Sequence, residues 1–229
     1  MSQSLATNLN RVLAESGFIV PDSYIGNSAQ DIAQIVAVAN TAAEEIVEQG
    51  YQTLLKNFSQ VLTSATSYPL PSDFLGFVPA TMYQNGRWDP VDMATTPATW
   101  ALLQSISGQS NLPIRVRIID DQFVTQYPTV GATIQAQYYS KYPITDATGA
   151  TPKRIFTVDT DLWLLDDQLF RMEVKWRFKK EKGLEWNTDL QDAANRRATV
   201  RSRDEANSTL IPNLVTVTGQ PYTNLWVSQ

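Results

Sequence analysis

The chain offers few side chains that could carry out chemistry, because its 229 residues include no histidine and no cysteine. Imidazole proton relays, thiol nucleophiles and the commonest metal ligands are therefore excluded. Carboxylates remain, in three adjacent pairs: Glu44–Glu45, Asp120–Asp121 and Asp166–Asp167. Glycosidic cleavage needs two carboxylates that face each other, whereas neighbours alternate on a strand and diverge on a helix. We interpret the two Asp pairs as turn-forming and helix-capping residues, and we predict no catalytic residue.

Other motifs that bind substrates or cofactors are equally scarce. The sequence contains no phosphate-binding loop and no dinucleotide fingerprint, so we predict no cofactor and no metal. Tyr138, Tyr139 and Tyr142 could stack on sugars or bases, although strand aromatics more often pack across strands. Two alternatives stay open: a glycan-cleaving enzyme that uses Asp120, Asp121 or Glu45, and a glycan-binding module that uses these tyrosines.

Charge is distributed unevenly along the chain. Residues 1–150 hold 6 basic and 12 acidic residues, whereas residues 171–203 hold 10 basic and 5 acidic ones. An acidic body and a basic helical segment could meet at contacts between copies, although solvated helix faces would look the same. The predicted interface residues are Arg196, Arg197, Arg201 and Arg203, with the late aromatics Tyr222 and Trp226. The overall net charge of −5 argues against a dedicated nucleic-acid binder.

Composition indicates a folded protein outside the membrane. The hydrophobic fraction of 43% is enough for a substantial core. The longest apolar stretch, residues 32–43, is too short to span a bilayer and is interrupted by polar residues. The first residues lack a basic region followed by an apolar block, so no secretory signal is expected. We expect a soluble protein that is made in a cytoplasm.

Helical periodicity occurs near both ends of the sequence. The spacing of apolar residues predicts a first helix over about 5–16 and a second over about 32–46, where Ser28 and Asp31 resemble a capping box. A third helix is predicted to begin after Asp166 or Asp167 and to end at Gly183. A fourth is predicted from Asn187 or Thr188 to about Ala206.

The middle of the chain is typical of strands. Asn85-Gly86 predicts a hairpin, and Thr96-Pro97 predicts a short helix near 96–107. Alternating residues in 114–118, 123–127 and 132–138 predict a three-stranded antiparallel meander. Residues 141–152 are predicted to form a polar loop that is disordered or becomes ordered only against a partner.

These elements predict an α+β fold in which a bundle of long N- and C-terminal helices packs with an antiparallel β-rich middle. Residues 1–50 and 164–207 would form the helical bundle. Residues 51–163 would form the β domain, with the short helix inside it. Residues 208–229 would form an extended C-terminal arm.

The order of these elements resembles a known family. Its most specific pieces are the Tyr-x-Leu-Pro-x-Asp-Phe stretch at 68–74 and the tyrosine-rich strand end at 138–143. A Trp88-bearing hairpin, a helix at 165–176 and a Gly183-Leu184 break complete the plan. Over most of residues 1–207 the chain resembles the head-to-tail adaptor proteins of short-tailed bacteriophages, the tail tubular protein A or gatekeeper group.

The resemblance implies a structural virion protein and no enzyme. Its subunits would form a homo-oligomeric ring, expected to be a dodecamer, between the portal protein and the tail nozzle protein in the virion neck. DNA would pass through the lumen without sequence-specific binding, and no membrane would be involved. The protein would be synthesised in the host cytoplasm.

Overall fold

A computed structural model describes residues 2–86, 91–93, 96–105, 114–126 and 130–209. The fold is mixed helix and sheet, as predicted, and most of its strand pairs are antiparallel. The helices are α1 (Leu5–Glu15), α2 (Gln30–Val47), α3 (Pro97–Ser105), α4 (Asp167–Glu181) and α5 (Asn187–Thr209). The strands are β1 (Leu55–Val61), β2 (Ser67–Pro69), β3 (Phe74–Phe77), β4 (Tyr83–Gln84), β5 (Asp92–Met93), β6 (Arg115–Ile119), β7 (Gln122–Gln126), β8 (Thr133–Ser140), β9 (Ile144–Thr145), β10 (Pro152–Lys153) and β11 (Leu162–Trp163).

Local side-chain hydrogen bonds set the helix starts. Asp166 caps α4 as predicted, and its carboxylate accepts the Leu169 N–H at 2.7 Å. The capping box predicted for α2 is wrong, because the N-cap residue is Ala29 and makes no side-chain cap bond. The Asn27 side chain instead accepts the Ala29 N–H at 2.9 Å, so Ser28 lies in the turn before the helix.

One hydrophobic core lies among α1, α2 and α4. Their apolar stripes bury Leu9, Ile35 and Phe170 completely, as the 3.6-residue periodicity requires. The small sheet of β9, β10 and β11 adds Trp163, whose ring stacks on Phe170 with centroids 4.8 Å apart. This core therefore includes residues from the end of the strand-rich middle as well as from both terminal regions.

A second core lies between two four-stranded sheets. In the first sheet β8 pairs with β1 on one side and with β3 and β4 on the other; the second has the order β2-β7-β6-β5. Phe58 of β1 and Phe123 of β7 meet across the interface, with ring centroids 5.3 Å apart. Because β5 runs parallel to β6, this sheet is not purely antiparallel.

The predicted meander is wrong in its third strand. β6 and β7 form the expected hairpin, but the other neighbour of β7 is β2, and β8 belongs to the first sheet. The alternating residues Ile134, Ala136 and Tyr138 of β8 are buried in the core between the sheets. Alternation fixes which face of a strand is buried, but not which strand lies beside it.

The prediction of a disordered loop at 141–152 is also wrong. β9 and β10 pair there, and Asp146 organises the turn between them by accepting the N–H groups of Thr148 at 3.1 Å and Ala150 at 3.0 Å. The short helix near 96–107 is found as α3. Asn85-Gly86 forms a turn after β4, but Trp88 lies outside the described residues, as do residues 210–229 of the arm.

Candidate functional site

Three carboxylates are buried in the described part of the chain, and two of them join segments that lie far apart in the sequence; the third, Asp161, binds Lys153 only eight residues away. These two are Asp73, which immediately precedes β3, and Glu173, in the middle of α4. Each accepts hydrogen bonds from three side chains, at least one of which lies on a different element. An ionised group can stay buried only if such partners replace its water.

The Asp73 cluster consists of Asp73, Lys56, Tyr138 and Ser140. The carboxylate accepts bonds from Lys56 Nζ at 2.6 Å, Ser140 Oγ at 2.8 Å and the Tyr138 hydroxyl at 3.0 Å. Burial pushes the pKa of Asp73 upward, but these bonds outweigh it and hold the pKa below its ordinary value. Burial and the neighbouring carboxylate raise the pKa of Tyr138 to about 12.

This cluster joins the two sequence pieces on which the family resemblance depends. Asp73 belongs to the stretch 68–74, whereas Tyr138 and Ser140 belong to the strand end 138–143. Backbone contacts reinforce the union, since the Asp73 carbonyl accepts the Lys141 N–H at 2.7 Å and the Ser72 carbonyl accepts the Tyr142 hydroxyl at 3.3 Å. The two motifs are thus one structural unit.

The Glu173 cluster consists of Glu173, Trp176, Arg177, Arg197 and Glu45. The Glu173 side chain is fully buried and accepts bonds from Trp176 Nε1 at 2.8 Å and from the guanidinium groups of Arg177 and Arg197. Arg177 also pairs with Glu45 of α2, and its guanidinium lies 4.3 Å from the centre of the Trp176 ring. Burial raises the pKa of Glu173, but the donors outweigh it and lower the pKa overall. One line of alternating charges therefore connects α2, α4 and α5.

The basic segment 171–203 forms further ion pairs within its own chain. The pairs that cross between elements are Lys175 with Glu15 at 3.1 Å, Lys175 with Asp189 at 3.4 Å, Lys179 with Asp189 at 2.5 Å, Lys182 with Asp31, and Arg196 with Asp166 at 2.6 Å. Pairs near the surface contribute at most about 1 kcal/mol each. Together they place acidic groups of the N-terminal helices beside the basic segment.

The predicted interface residues have different environments. Arg196 and Arg197 are partly buried in the pairs with Asp166 and Glu173. Arg201 and Arg203 are exposed on α5. Tyr222 and Trp226 lie outside the described residues, so their role, like that of the arginines in contacts between copies, stays a prediction.

The carboxylate pairs that the sequence singled out form turns, helix caps and ion pairs within the chain. Asp120 and Asp121 form the two-residue turn between β6 and β7, with φ values of 49° and 57°. Glu44 pairs with Arg154 at 2.9 Å, and Asp167 accepts the Gln3 N–H at 3.2 Å. Among the described residues, no group of three or more metal-ligating side chains comes together, and no helix is long and apolar enough to cross a membrane.

The sequence interpretation missed the roles of Asp73 and Glu173. A signal existed for Glu173, because it interrupts the buried face formed by Phe170, Val174 and Phe178 and precedes Arg177 by one helical turn. Asp73 is part of the motif at 68–74 on which the family resemblance depends. Its partners could not be identified, since they lie up to 67 residues away.

The two polar clusters join helices and strands to one another and so stabilise the fold. The family model of the SU10 adaptor protein matches residues 4–217, and the chain therefore belongs to the SU10 adaptor protein family. No curated protein matches the chain. The predicted resemblance to phage head-to-tail adaptors is confirmed at the level of the family.

The family name identifies a phage adaptor protein, which is a structural component of the virion. Such a protein implies a location in the virion neck and interaction with the portal and the tail. The family is structural and is not known as enzymatic.

The Asp73 cluster can be tested by a substitution that keeps the shape of the side chain. Asp73→Asn removes the negative charge that pairs with Lys56. It also places an NH₂ group, itself a donor, opposite one of the donors that now bind the carboxylate. We expect the free energy of unfolding to fall by about 1–3 kcal/mol. Asp120→Asn is the matched control, because Asn tolerates the same turn conformation, and it should change the value by no more than about 0.5 kcal/mol. Chemical denaturation measures both variants.

The pH dependence of the same variant separates charge from packing. Because the folded-state pKa of Asp73 is lowered, ionisation stabilises the fold above the unfolded-state pKa of about 3.9, and this contribution is lost as the pH falls through the folded-state value. The difference between the parent chain and Asp73→Asn should be constant near neutral pH and should narrow below about pH 4. If the difference in unfolding free energy between the two chains were the same in acid, the charge of Asp73 would make no contribution to stability.

Proposed function

We propose that the chain is one subunit of a homo-oligomeric ring, a dodecamer, that sits between the portal protein and the tail nozzle protein. DNA passes through the lumen of this ring without sequence-specific binding. The protein is synthesised in the host cytoplasm and functions in the virion neck. The observation that carries the proposal is the family match over residues 4–217, which includes every described helix and strand.

The charge arrangement supports a conduit that does not retain DNA. The chain has a net charge of −5, and its most basic segment faces acidic side chains of α1 and α2. Proteins that hold DNA nonspecifically instead present cations to the phosphates. Repulsion between an acidic wall and the phosphates would let DNA slide.

The presence of two hydrophobic cores supports the proposal that two parts of the subunit contact different partners. We propose that residues 1–50 and 164–207 form a helical bundle that contacts the portal and neighbouring subunits, and that the β region within 51–163 faces the tail. The helical core and the inter-sheet core are separate clusters of apolar residues. Ile144, Phe156 and Trp163 belong to the helical core, and we therefore assign residues 144–163 to the same part of the subunit as the helical bundle.

The glycan-related alternatives gain no support from side-chain positions. Tyr138 is buried with its hydroxyl on Asp73, and the ring of Tyr139 lies against Gly50. Glu45 is paired with Arg177, and Asp120 and Asp121 lie on a different element, the β6–β7 turn.

Mixing the protein with portal oligomers from the same phage tests the proposed function. Electron microscopy should show a ring of additional density on one end of the portal, because an adaptor recognises that surface. A monomeric free protein would be compatible, since ring subunits can assemble only on a template. A portal without added density, together with cleavage or binding of peptidoglycan by the isolated chain, would contradict the proposal.

The arginines of α5 allow contacts between subunits to be separated from contacts within one. Arg201→Glu with Arg203→Glu should weaken assembly on the portal, most strongly at low salt, where charge interactions are least screened. The melting temperature of the free chain should fall less than in the comparison variant described next, because Arg201 and Arg203 are exposed and exposed charge interactions contribute little. The comparison variant, Arg196→Gln with Arg197→Gln, should lower the melting temperature because it removes partners of Asp166 and Glu173. Normal assembly of the Arg201/Arg203 variant at low salt would remove these residues from the interface.

A further inference from the structure

The first sheet has an open edge at β1. β8 lies on one side of β1, and within the described residues no strand lies on the other. Asn57 stands opposite Gln137. The Gln137 carbonyl accepts the Val78 N–H at 2.8 Å, and the Gln137 N–H donates to Thr81 Oγ1 at 3.1 Å, both on the side away from β1. In an antiparallel ladder, the backbone groups of Asn57 and, two residues on, Ser59 must then point to the open edge.

This edge lacks the features that normally block strand addition. Natural edge strands carry charges, prolines or bulges against pairing. The exposed face beside the edge contains Asn57, Ser59, Val61, Tyr83, Gln135 and Gln137, none of which is charged. Part of it lines a surface depression of about 400 Å³. The one charged residue of β1, Lys56, is bound to Asp73.

The C-terminal arm has a matching composition. Residues 210–229 contain no charged residue, and nine of the twenty are apolar or aromatic. Segments that remain solvated and disordered are typically rich in charge and poor in such residues. Leu214-Val-Thr-Val217 also contains three β-branched residues in a row, which favours a strand. Burial of these apolar side chains against another surface would therefore be favourable, and an uncharged strand edge provides such a surface.

The end of α5 brings the arm close to this edge. The Asp204 carboxylate accepts the Gln52 N–H at 2.6 Å, and Gln52 precedes the first residue of β1 by three positions. The last five residues of α5 extend only about 7.5 Å beyond Asp204. Residues 210–213 span up to about 14 Å when extended. Leu214 can therefore reach β1 of its own chain.

We propose that residues 214–217 pair with β1 of the same chain and form a fifth strand of the first sheet. The added strand closes the edge against association with other strands, and it anchors the part of the arm that carries Tyr222 and Trp226. This inference does not depend on ring formation, because it concerns the free subunit.

Hydrogen exchange of single amides tests the pairing in the full chain. Val215→Pro with Thr216→Pro removes an N–H at a hydrogen-bonded position in either register. The Asn57 and Ser59 amides should exchange at least about tenfold faster in this variant than in the parent chain. The Phe58 and Gln60 amides, which face β8, should not change, and Asn224→Pro should have no effect. Rapid exchange of Asn57 and Ser59 in the parent chain would overturn the proposal.

Disulfide trapping identifies the chain to which the arm binds, and the absence of native cysteine makes this experiment clean. Ser59→Cys is combined in turn with cysteine at each position from 214 to 217. Intramolecular crosslinks at alternate positions would support the proposal, because side chains alternate along a strand. Thr148→Cys with the same arm positions is the control and should not crosslink. Covalent dimers, or equal crosslinking at all four positions, would overturn docking on the same chain. Portal binding is measured separately, so failure here would leave the proposed function untouched.

Discussion

The burial of Glu173 is the interaction on which the helical part of the structure depends. Its carboxylate has no exposed surface, yet its pKa is lowered, because Trp176, Arg177 and Arg197 all donate to it. Losing one partner of a buried ion pair typically costs about 3–5 kcal/mol, since the other charge is left without compensation. Arg177 meets this glutamate within α4, but Arg197 can meet it only if α4 and α5 lie side by side. The cluster thereby fixes how these helices pack, whereas apolar contacts alone would tolerate sliding.

The same arrangement explains what the basic segment does in an acidic protein. From the sequence, residues 171–203 could have been a surface for DNA or for another subunit. In the folded chain their partners include Glu15, Asp31 and Glu45 on α1 and α2. Complementary charges thus join elements of one subunit, and their role in contacts between copies stays a prediction. In the proposed ring, contacts between copies would then depend on exposed residues such as Arg201 and Arg203 and on uncharged surfaces.

Local features of the sequence predicted much of the helical structure. The apolar periodicity located α1, α2 and α4, and Asp166 and Gly183 set the limits of α4 because capping and left-handed backbone conformations are local properties. The predicted start of α2 was wrong because the side chain of Asn27, and not that of its neighbour Ser28, accepts the N–H of Ala29 before the helix.

The strand pairing and the buried clusters could not be predicted in this way. β8 alternates like the third strand of a meander, but it pairs with β1, which begins 78 residues earlier in the sequence. Packing in the core decides which strands are neighbours, and the alternation does not reveal it. The Asp73 cluster likewise combines Lys56 and Ser140, which only the tertiary fold brings together. The family resemblance nevertheless drew attention to both of its sequence pieces, since their side chains serve one buried site.

The central claim, that Glu173 holds α4 and α5 together through Arg197, is tested most directly by a double-mutant cycle. The free energies of unfolding of Glu173→Gln, Arg197→Gln and the combined variant are compared with that of the parent chain. The account predicts a coupling energy above about 1.5 kcal/mol, because each single change leaves a polar partner uncompensated. Additive effects, with a coupling within about 0.5 kcal/mol of zero, would contradict it.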